Sequence, residues 1–243
     1  MPLGVIFTLP LTPAYLTAEK VEELTNKFKA TKASVWKHAE IGEALLDSSS
    51  FKCAYCECSL QIEDSYMQIE HFKDKDTYPD SVVDWENLLP SCQRCNRKKW
   101  TLDVVVEPIV NPYVDYPKNH FSLEEFRLYA KDLKGETTIS KLDLNDDKRL
   151  VLPRFLASNE IASQLDSIFR NIINLDEARK SLSKLLNSCQ ADSPYAAFLS
   201  TCLHGKKEYQ ILKELLKSEE INLWDDEMEE LDFRSKQLTL DRR

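Results

Sequence analysis

Glycine is scarce in this chain, with four in 243 residues beside ten prolines. That scarcity excludes collagen-like and low-complexity classes, and 42% hydrophobic residues exclude a wholly disordered chain. A folded, helix-leaning protein of one or two domains is expected, long enough to bury a sizeable core without disulfides. No apolar run reaches the ~18 residues that a membrane helix requires. The apolar opening from Leu3 to Leu9 has no basic segment ahead of it, so it reads as a short strand or packing segment rather than a leader. Surplus basic charge is also lacking: 32 Lys and Arg face 41 Asp and Glu, a net of −9. Taken globally, that argues against a free-standing nucleic-acid binder. Locally it is uneven, because Glu214 to Asp232 carries nine acidic residues and one Lys, or −8. The segment from Phe51 to Val110 has seven basic against eleven acidic residues, a net of −4.

A secreted disulfide framework is missing too. The seven cysteines are odd in number and unevenly spread, five of them between Cys53 and Cys95. This points to a cytoplasmic protein with a metal site and spare thiols at Cys189 and Cys202.

Three regions follow from the patterning. Residues 1–50 form a helical lead-in: after Thr17, a predicted N-cap, Val21, Leu24, Phe28, Val35, Trp36, Ile41, Leu45 and Leu46 fall at spacings for two amphipathic helices. Residues 51–110 are compact and polar, with cysteine pairs and the alternating run Tyr66 to Ile69. Residues 111–243 begin as extended chain and end as helices. Strand-like pieces are predicted at Val104–Val106, Phe126–Ala130 and Thr137–Leu144, with a small hairpin among them. Beyond Pro153, the positions Ile161, Leu165, Ile168, Phe169 and Ile172 trace one helical face. Ser193 and Pro194 predict the start of another helix running through Leu203.

Cys53-x-x-Cys56 and Cys92-x-x-Cys95 are two knuckles able to share one tetrahedral Zn²⁺. Four protein ligands leave no open position, so such a zinc is structural. Cys58 is a competitor, and the symmetry of the knuckles favours Cys56 over it. Thirty-five residues separate Cys56 from Cys92, more than a simple zinc ribbon needs. The insert holds Glu70-His71, then Asn87, and Asn96 directly follows the second knuckle.

From Cys53 to Lys99 these residues resemble the HNH endonuclease family, which implies an α+β, mainly helical protein with a ββα-metal core clamped by the four-cysteine zinc. In that family the first motif residue pair supplies a metal ligand and a general base, which fall on Glu70 and His71. The middle asparagine, Asn87, would orient the imidazole, and the last position, Asn96, would bind Mg²⁺ or Mn²⁺ together with Glu70. Many family members carry histidine where this chain has Asn96. Arg94, Arg97, Lys98 and Lys99 read as a phosphate grip on the same helix. His38, His120 and His204 lack such a setting and read as structural.

Further residues, among them Ile109 to Pro112, Pro117, His120-Phe121, Gly135 to Ile139 and Leu144-Asn145, are similar to the PtuB-like branch of that family, found in Septu anti-phage systems and beside some retrons. The resemblance implies a PtuA-like ABC-type ATPase oligomer as partner, and duplex DNA or tRNA as substrate. Glu214 to Asp232, acidic and interleaved with apolar residues, reads either as an amphipathic docking helix or as a solvated face over the core. The alternative to a nuclease is a non-catalytic zinc-stabilised adaptor.

Overall fold

Thr17 starts the first helix as predicted, its hydroxyl accepting a hydrogen bond from Lys20 N at 3.2 Å. The helix α1 (Ala18–Thr31) and α2 (Ala39–Ser48) follow. In the computed structural model, residues 11–62, 66–172, 174–218 and 220–243 are described; the strand or packing segment expected at Leu3–Leu9 lies outside them. Leu24, Phe28, Ile41 and Leu45 form one hydrophobic core with Val82, Val83, Trp85 and Leu88. The lead-in is thus packed on the segment that precedes the second knuckle.

Strand β1 (Met67–His71) pairs antiparallel with β2 (Leu88–Cys92), with His71 opposite Leu88 and Glu70 opposite Leu89. Helix α3 (Gln93–Lys99) leaves β2 without a loop, because Cys92 is both the last strand residue and the helix N-cap. The result is a ββα unit closed by the second knuckle. Between the strands the chain makes two short 3₁₀ turns, Pro79–Ser81 and Trp85–Asn87.

Past α3 the extended chain forms less often than predicted. Val104–Val106 is a turn: Asp103 accepts from Val105 N through its side chain (3.0 Å) and from Val106 N through its carbonyl (3.2 Å). A short helix α4 (Pro117–His120) leads into the hairpin of β3 (Phe121–Glu124) and β4 (Arg127–Ala130). Thr137–Leu144, expected as a strand, falls mostly in helix α5 (Leu133–Lys141). Asp132 caps it by accepting from Gly135 N at 2.7 Å, and Thr137 and Thr138 return their hydroxyls to the carbonyls of Leu133 and Lys134. Local capping outweighs the β propensity of those threonines. Gly135 is required by contact, since a Cβ there would lie 2.2 Å from the His120 carbonyl oxygen.

A five-residue π turn (Asp147–Val151) runs into α6 (Leu152–Arg170), followed by α7 (Leu175–Asn187), α8 (Ala196–His204), α9 (Lys207–Lys217) and α10 (Asp226–Leu238). Strand β5 (Asp241–Arg242) returns parallel to β3. Ile161 and Leu165 of the predicted stripe are buried, Ile168 and Phe169 pack beside them, and Ile172 lies past the helix end. Helix α8 opens at Ala196 rather than at Ser193, because Tyr195 takes a left-handed conformation (φ 55°) and interrupts the turn after Pro194. Few glycines force the left-handed positions onto other residues, including Glu57, Trp100 and Tyr195.

The acidic segment from Glu214 to Asp232 is no single helix. It spans the end of α9, a connection and the start of α10. Leu216, Trp224 and Met228 lie within the C-terminal core, with Leu223 and Leu231 packed against it. Most of its apolar residues are spent on the core and its described carboxylates are exposed, apart from Asp232, which is buried and accepts from Tyr209 and Lys213; this is closer to the solvated-face alternative. No helix among the described residues is long and apolar enough to cross a membrane.

Candidate active site and metal centre

The cysteines converge beneath the ββα unit. Sulfurs of Cys53, Cys56, Cys58 and Cys92 lie within 4.8 Å of one another, and Cys56 Sγ and Cys92 Sγ are 3.8 Å apart. Four thiolates at ~2.3 Å from a tetrahedral zinc would be spaced by roughly that last distance. The Cys95 thiol meets those of Cys53, Cys56 and Cys92. Cys95 N donates to Cys92 Sγ at 3.4 Å, which folds the second knuckle. The donor set therefore fits a structural zinc, and it includes Cys58 beside the four predicted ligands.

Charge around the cluster agrees. Arg154 is fully buried, with Nη1 donating to Leu144 O at 2.8 Å and its guanidinium 4.3 Å over the Phe198 ring. Burial depresses its pKa, and the nearby Cys56 thiol, Glu57 and Cys95 push the other way. A buried guanidinium is costly without a counter-charge. A four-thiolate zinc, carrying net −2, supplies one.

His71 ends β1 and is 7% exposed. Its Nε2 lies 2.9 Å from the Val82 carbonyl oxygen. A carbonyl only accepts, so Nε2 carries the proton and Nδ1 keeps its lone pair. Trp36 stands edge-on to the imidazole, ring centres 4.7 Å apart. Burial lowers the His71 pKa to about 4, against the opposing bond to Val82, so the ring is neutral at pH 7.

Asn87 does not orient the imidazole directly. Its Oδ1 accepts from Lys73 N at 2.7 Å, and its Nδ2 donates to Lys73 O (3.1 Å) and Ser81 O (3.0 Å). It ties together the two ends of the 73–81 loop, and Ser81 directly precedes Val82. Asn87 thus acts on His71 at one remove, through the position of the Val82 carbonyl.

Glu70 is 4% exposed, and burial raises its pKa to about 7 against the pull of Lys99. Lys99 Nζ is 2.7 Å from Glu70 Oε1 and donates to the His71 carbonyl at 2.8 Å. Lys99 is therefore no surface cation for a phosphate: its side chain is buried, because the last turn of α3 packs against β1. Arg94 is likewise turned inward, donating to the carbonyls of Leu142 (3.1 Å) and Asp143 (2.5 Å) and pairing with the Asp143 and Asp146 carboxylates. Two of the four expected grip residues are structural, and Arg97 and Lys98 stay exposed, the latter pairing with Asp143 at 3.0 Å. Asn96 is half-buried on α3. The Lys99 ammonium occupies the Glu70 carboxylate, so a divalent ion seeking this oxygen donor would compete with it.

Sequence reading missed three contributors. Val82 acts through its backbone, which no side-chain pattern announces. Trp36 was legible only as a core residue of the lead-in. The inward turn of Lys99 was hidden in a basic run, although its spacing four residues after Cys95 puts it on the buried side of α3 with that cysteine.

The profile of the HNH endonuclease family matches residues 53–101. The chain is 42% identical over 218 residues to Septu protein PtuB of Bacillus thuringiensis, covering 85% of this chain and 84% of the relative. A Septu protein PtuB of Bacillus mycoides (strain KBAB4) is 33% identical over 123 residues, 36% of this chain and 41% of the relative. A Septu protein PtuA from the same strain is 26% identical over 198 residues, 67% of this chain and 26% of that protein. With its ββα unit, its cysteine cluster and this extent of identity, the chain belongs to the PtuB family of HNH-domain Septu proteins.

Proposed function

We propose that the protein is a metal-dependent endonuclease that hydrolyses nucleic-acid phosphodiester bonds as the nuclease subunit of a Septu defence complex, acting in the cytoplasm. The observation that carries this reading is the neutral imidazole of His71, proton fixed on Nε2 by Val82 and Nδ1 left as a base. His71 Nδ1 takes a proton from the attacking water. Asn87 holds the 73–81 loop so that the imidazole keeps one tautomer and one direction. Glu70 and Asn96 would hold Mg²⁺ or Mn²⁺, which supplies polarisation of a phosphate oxygen and stabilisation of the leaving alkoxide. Lys99 must leave Glu70, or share it, when such an ion binds. Arg97 and Lys98, exposed at the end of α3, would meet the backbone phosphates beside the cut. The five-cysteine cluster is assigned a structural zinc that fixes β2 and α3 beneath the base.

The ATPase partner is inferred from the relatives: similarity to part of a PtuA as well as to PtuB supports an assembly with a PtuA-type ABC ATPase. The attacked phosphorus is the same in DNA and RNA, so the site chemistry is compatible with duplex DNA and with tRNA. The test is the His71→Ala variant, expressed with its partner and checked for retained zinc and fold. Loss of cleavage and of phage protection is expected. Wild-type cleavage by a folded, zinc-loaded variant would defeat the assignment of His71 as the base; absence of cleavage by the wild-type complex itself would favour the adaptor reading.

A further inference from the structure

Five thiols surround a centre that has room for four. Cys53, Cys56 and Cys92 form a shared triangle, with Cys56 Sγ and Cys92 Sγ 3.8 Å apart. The Cys58 sulfur lies within 4.8 Å of all three, and Cys95, whose N–H is bonded to the Cys92 sulfur, is held beside the same cluster by the second knuckle. Each of these two can thus complete a four-sulfur set with that triangle. They arrive by different routes. Cys95 is carried one turn into α3 and is fully buried, its N–H bonded to Cys92 Sγ. Cys58 is returned by a tight reversal, in which Cys53 N donates to Cys58 O at 2.9 Å, Glu57 N donates to Cys53 O at 3.1 Å, and Glu57 takes the left-handed conformation at φ 63°. Cys58 is half-buried, the most accessible of the five. The left-handed turn at Glu57 and the Cys53 N to Cys58 O bond together carry Cys58 back beside Cys53.

We propose that Cys58 is an alternative fourth zinc ligand, interchangeable with Cys95 rather than with Cys56. The three triangle thiolates are indispensable; either apex completes the tetrahedron. The zinc therefore has a ligand set with one spare, and the spare on the accessible side is where the ion enters and leaves. The inference rests on the zinc reading of the cysteine cluster and not on the cutting chemistry, so a failure of the nuclease proposal leaves it standing.

The experiment measures metal content in the full-length protein, purified with its partner, for single Cys→Ser variants. Wild type is expected to hold about one zinc equivalent. Cys58→Ser and Cys95→Ser should each retain it, Cys53→Ser, Cys56→Ser and Cys92→Ser should each lose it, and the double variant Cys58→Ser/Cys95→Ser should lose it. Because loss of zinc and loss of fold go together, cobalt replacement provides a second reading. Co²⁺-loaded Cys95→Ser should keep the thiolate-to-metal absorption intensity of wild type, showing that another sulfur has taken the vacated position. Zinc lost from Cys95→Ser but kept by Cys58→Ser overturns the exchange and makes Cys58 a bystander. Zinc lost from Cys58→Ser but kept by Cys95→Ser overturns it in the other direction. A folded wild type without zinc defeats the zinc reading itself.

Discussion

At the scale of single residues, the site is an arrangement of buried charges whose partners decide what each can do. Glu70 and Lys99 are a buried pair, 2.7 Å apart. Removing one member of such a pair costs about 3–5 kcal/mol, because the survivor is left uncompensated. Lys99→Ala should therefore lower the unfolding free energy by about that amount in urea titrations, whereas Arg97→Ala, fully on the surface, should change it by less than about 0.5 kcal/mol. The carboxyl of Glu70 is raised to about 7 by burial. Its protonated form is a poor metal ligand, so Mn²⁺ affinity should fall roughly tenfold for each pH unit below that value. It should level off above it. Binding isotherms at pH 6 and pH 8 test this, and a flat profile would remove Glu70 from the metal site. Glu70, His71, Asn87 and Asn96 are singled out in the sequence by the resemblance to the HNH pattern between the two knuckles. What was not readable is that the Val82 carbonyl, rather than Asn87, receives the imidazole proton, since a backbone acceptor has no residue type.

At the scale of elements, α3 does three tasks that its seven residues would not reveal one by one. Cys95 faces the thiol cluster, Lys99 faces β1, and Arg97 and Lys98 face outward, as a period of 3.6 dictates. The lead-in helices were legible because their apolar spacing and the Thr17 N-cap are regular, and β1 is signalled by the alternating run Tyr66 to Ile69, whereas β2 was expected only from the HNH resemblance. Thr137–Leu144 was misread as a strand because its threonines favour β structure, and only the Asp132 cap and the hydroxyl bonds within the helix reveal why α5 forms. Packing between elements gives a contrast to measure. Ile41 of α2 lies in the same core as Leu88, which is paired with His71 across the sheet. Met228 of α10 lies in the C-terminal core. Ile41→Ala and Met228→Ala should each cost about 2–5 kcal/mol. Only the first should also disturb the pH profile of cleavage. A second element contact, between α8 and α10, sets a pH limit. His204 Nε2 meets Ser235 Oγ at 2.7 Å, and burial lowers the His204 pKa to about 4. The unfolded chain takes up this proton near pH 6.5 and the folded one only near 4, so stability from this group is complete above pH 6.5 and falls as the pH drops toward 4. The loss is about 2–3 kcal/mol, and His204→Gln should show a correspondingly smaller decline between pH 7 and pH 5 in urea titrations.

At the scale of the whole molecule, charge is divided by region. Most of the −9 resides in Glu214 to Asp232, which spans the end of α9, a connection and the start of α10. Composition alone suggested a poor nucleic-acid binder, and the inward turn of Arg94 and Lys99 strengthens that, leaving Arg97 and Lys98 as the exposed cations of α3. Weak binding of nucleic acid is therefore expected of this chain alone and tight binding only of its complex with the proposed partner, the salt dependence of the complex then being set by the partner's phosphate contacts. How the helices are shared between the cores, unlike the motif, was not visible in the sequence, because which helix covers which sheet is decided by contacts far apart in the chain. The central claim is that His71 Nδ1 is the general base, and chemical rescue tests it most directly. His71→Gly, purified with its partner and holding its zinc, should cut at a rate about 10²–10⁴-fold below wild type. Added imidazole should restore part of that rate, with rescue following the concentration of the neutral form. A His71→Gly complex that cuts at the wild-type rate without imidazole would contradict the account.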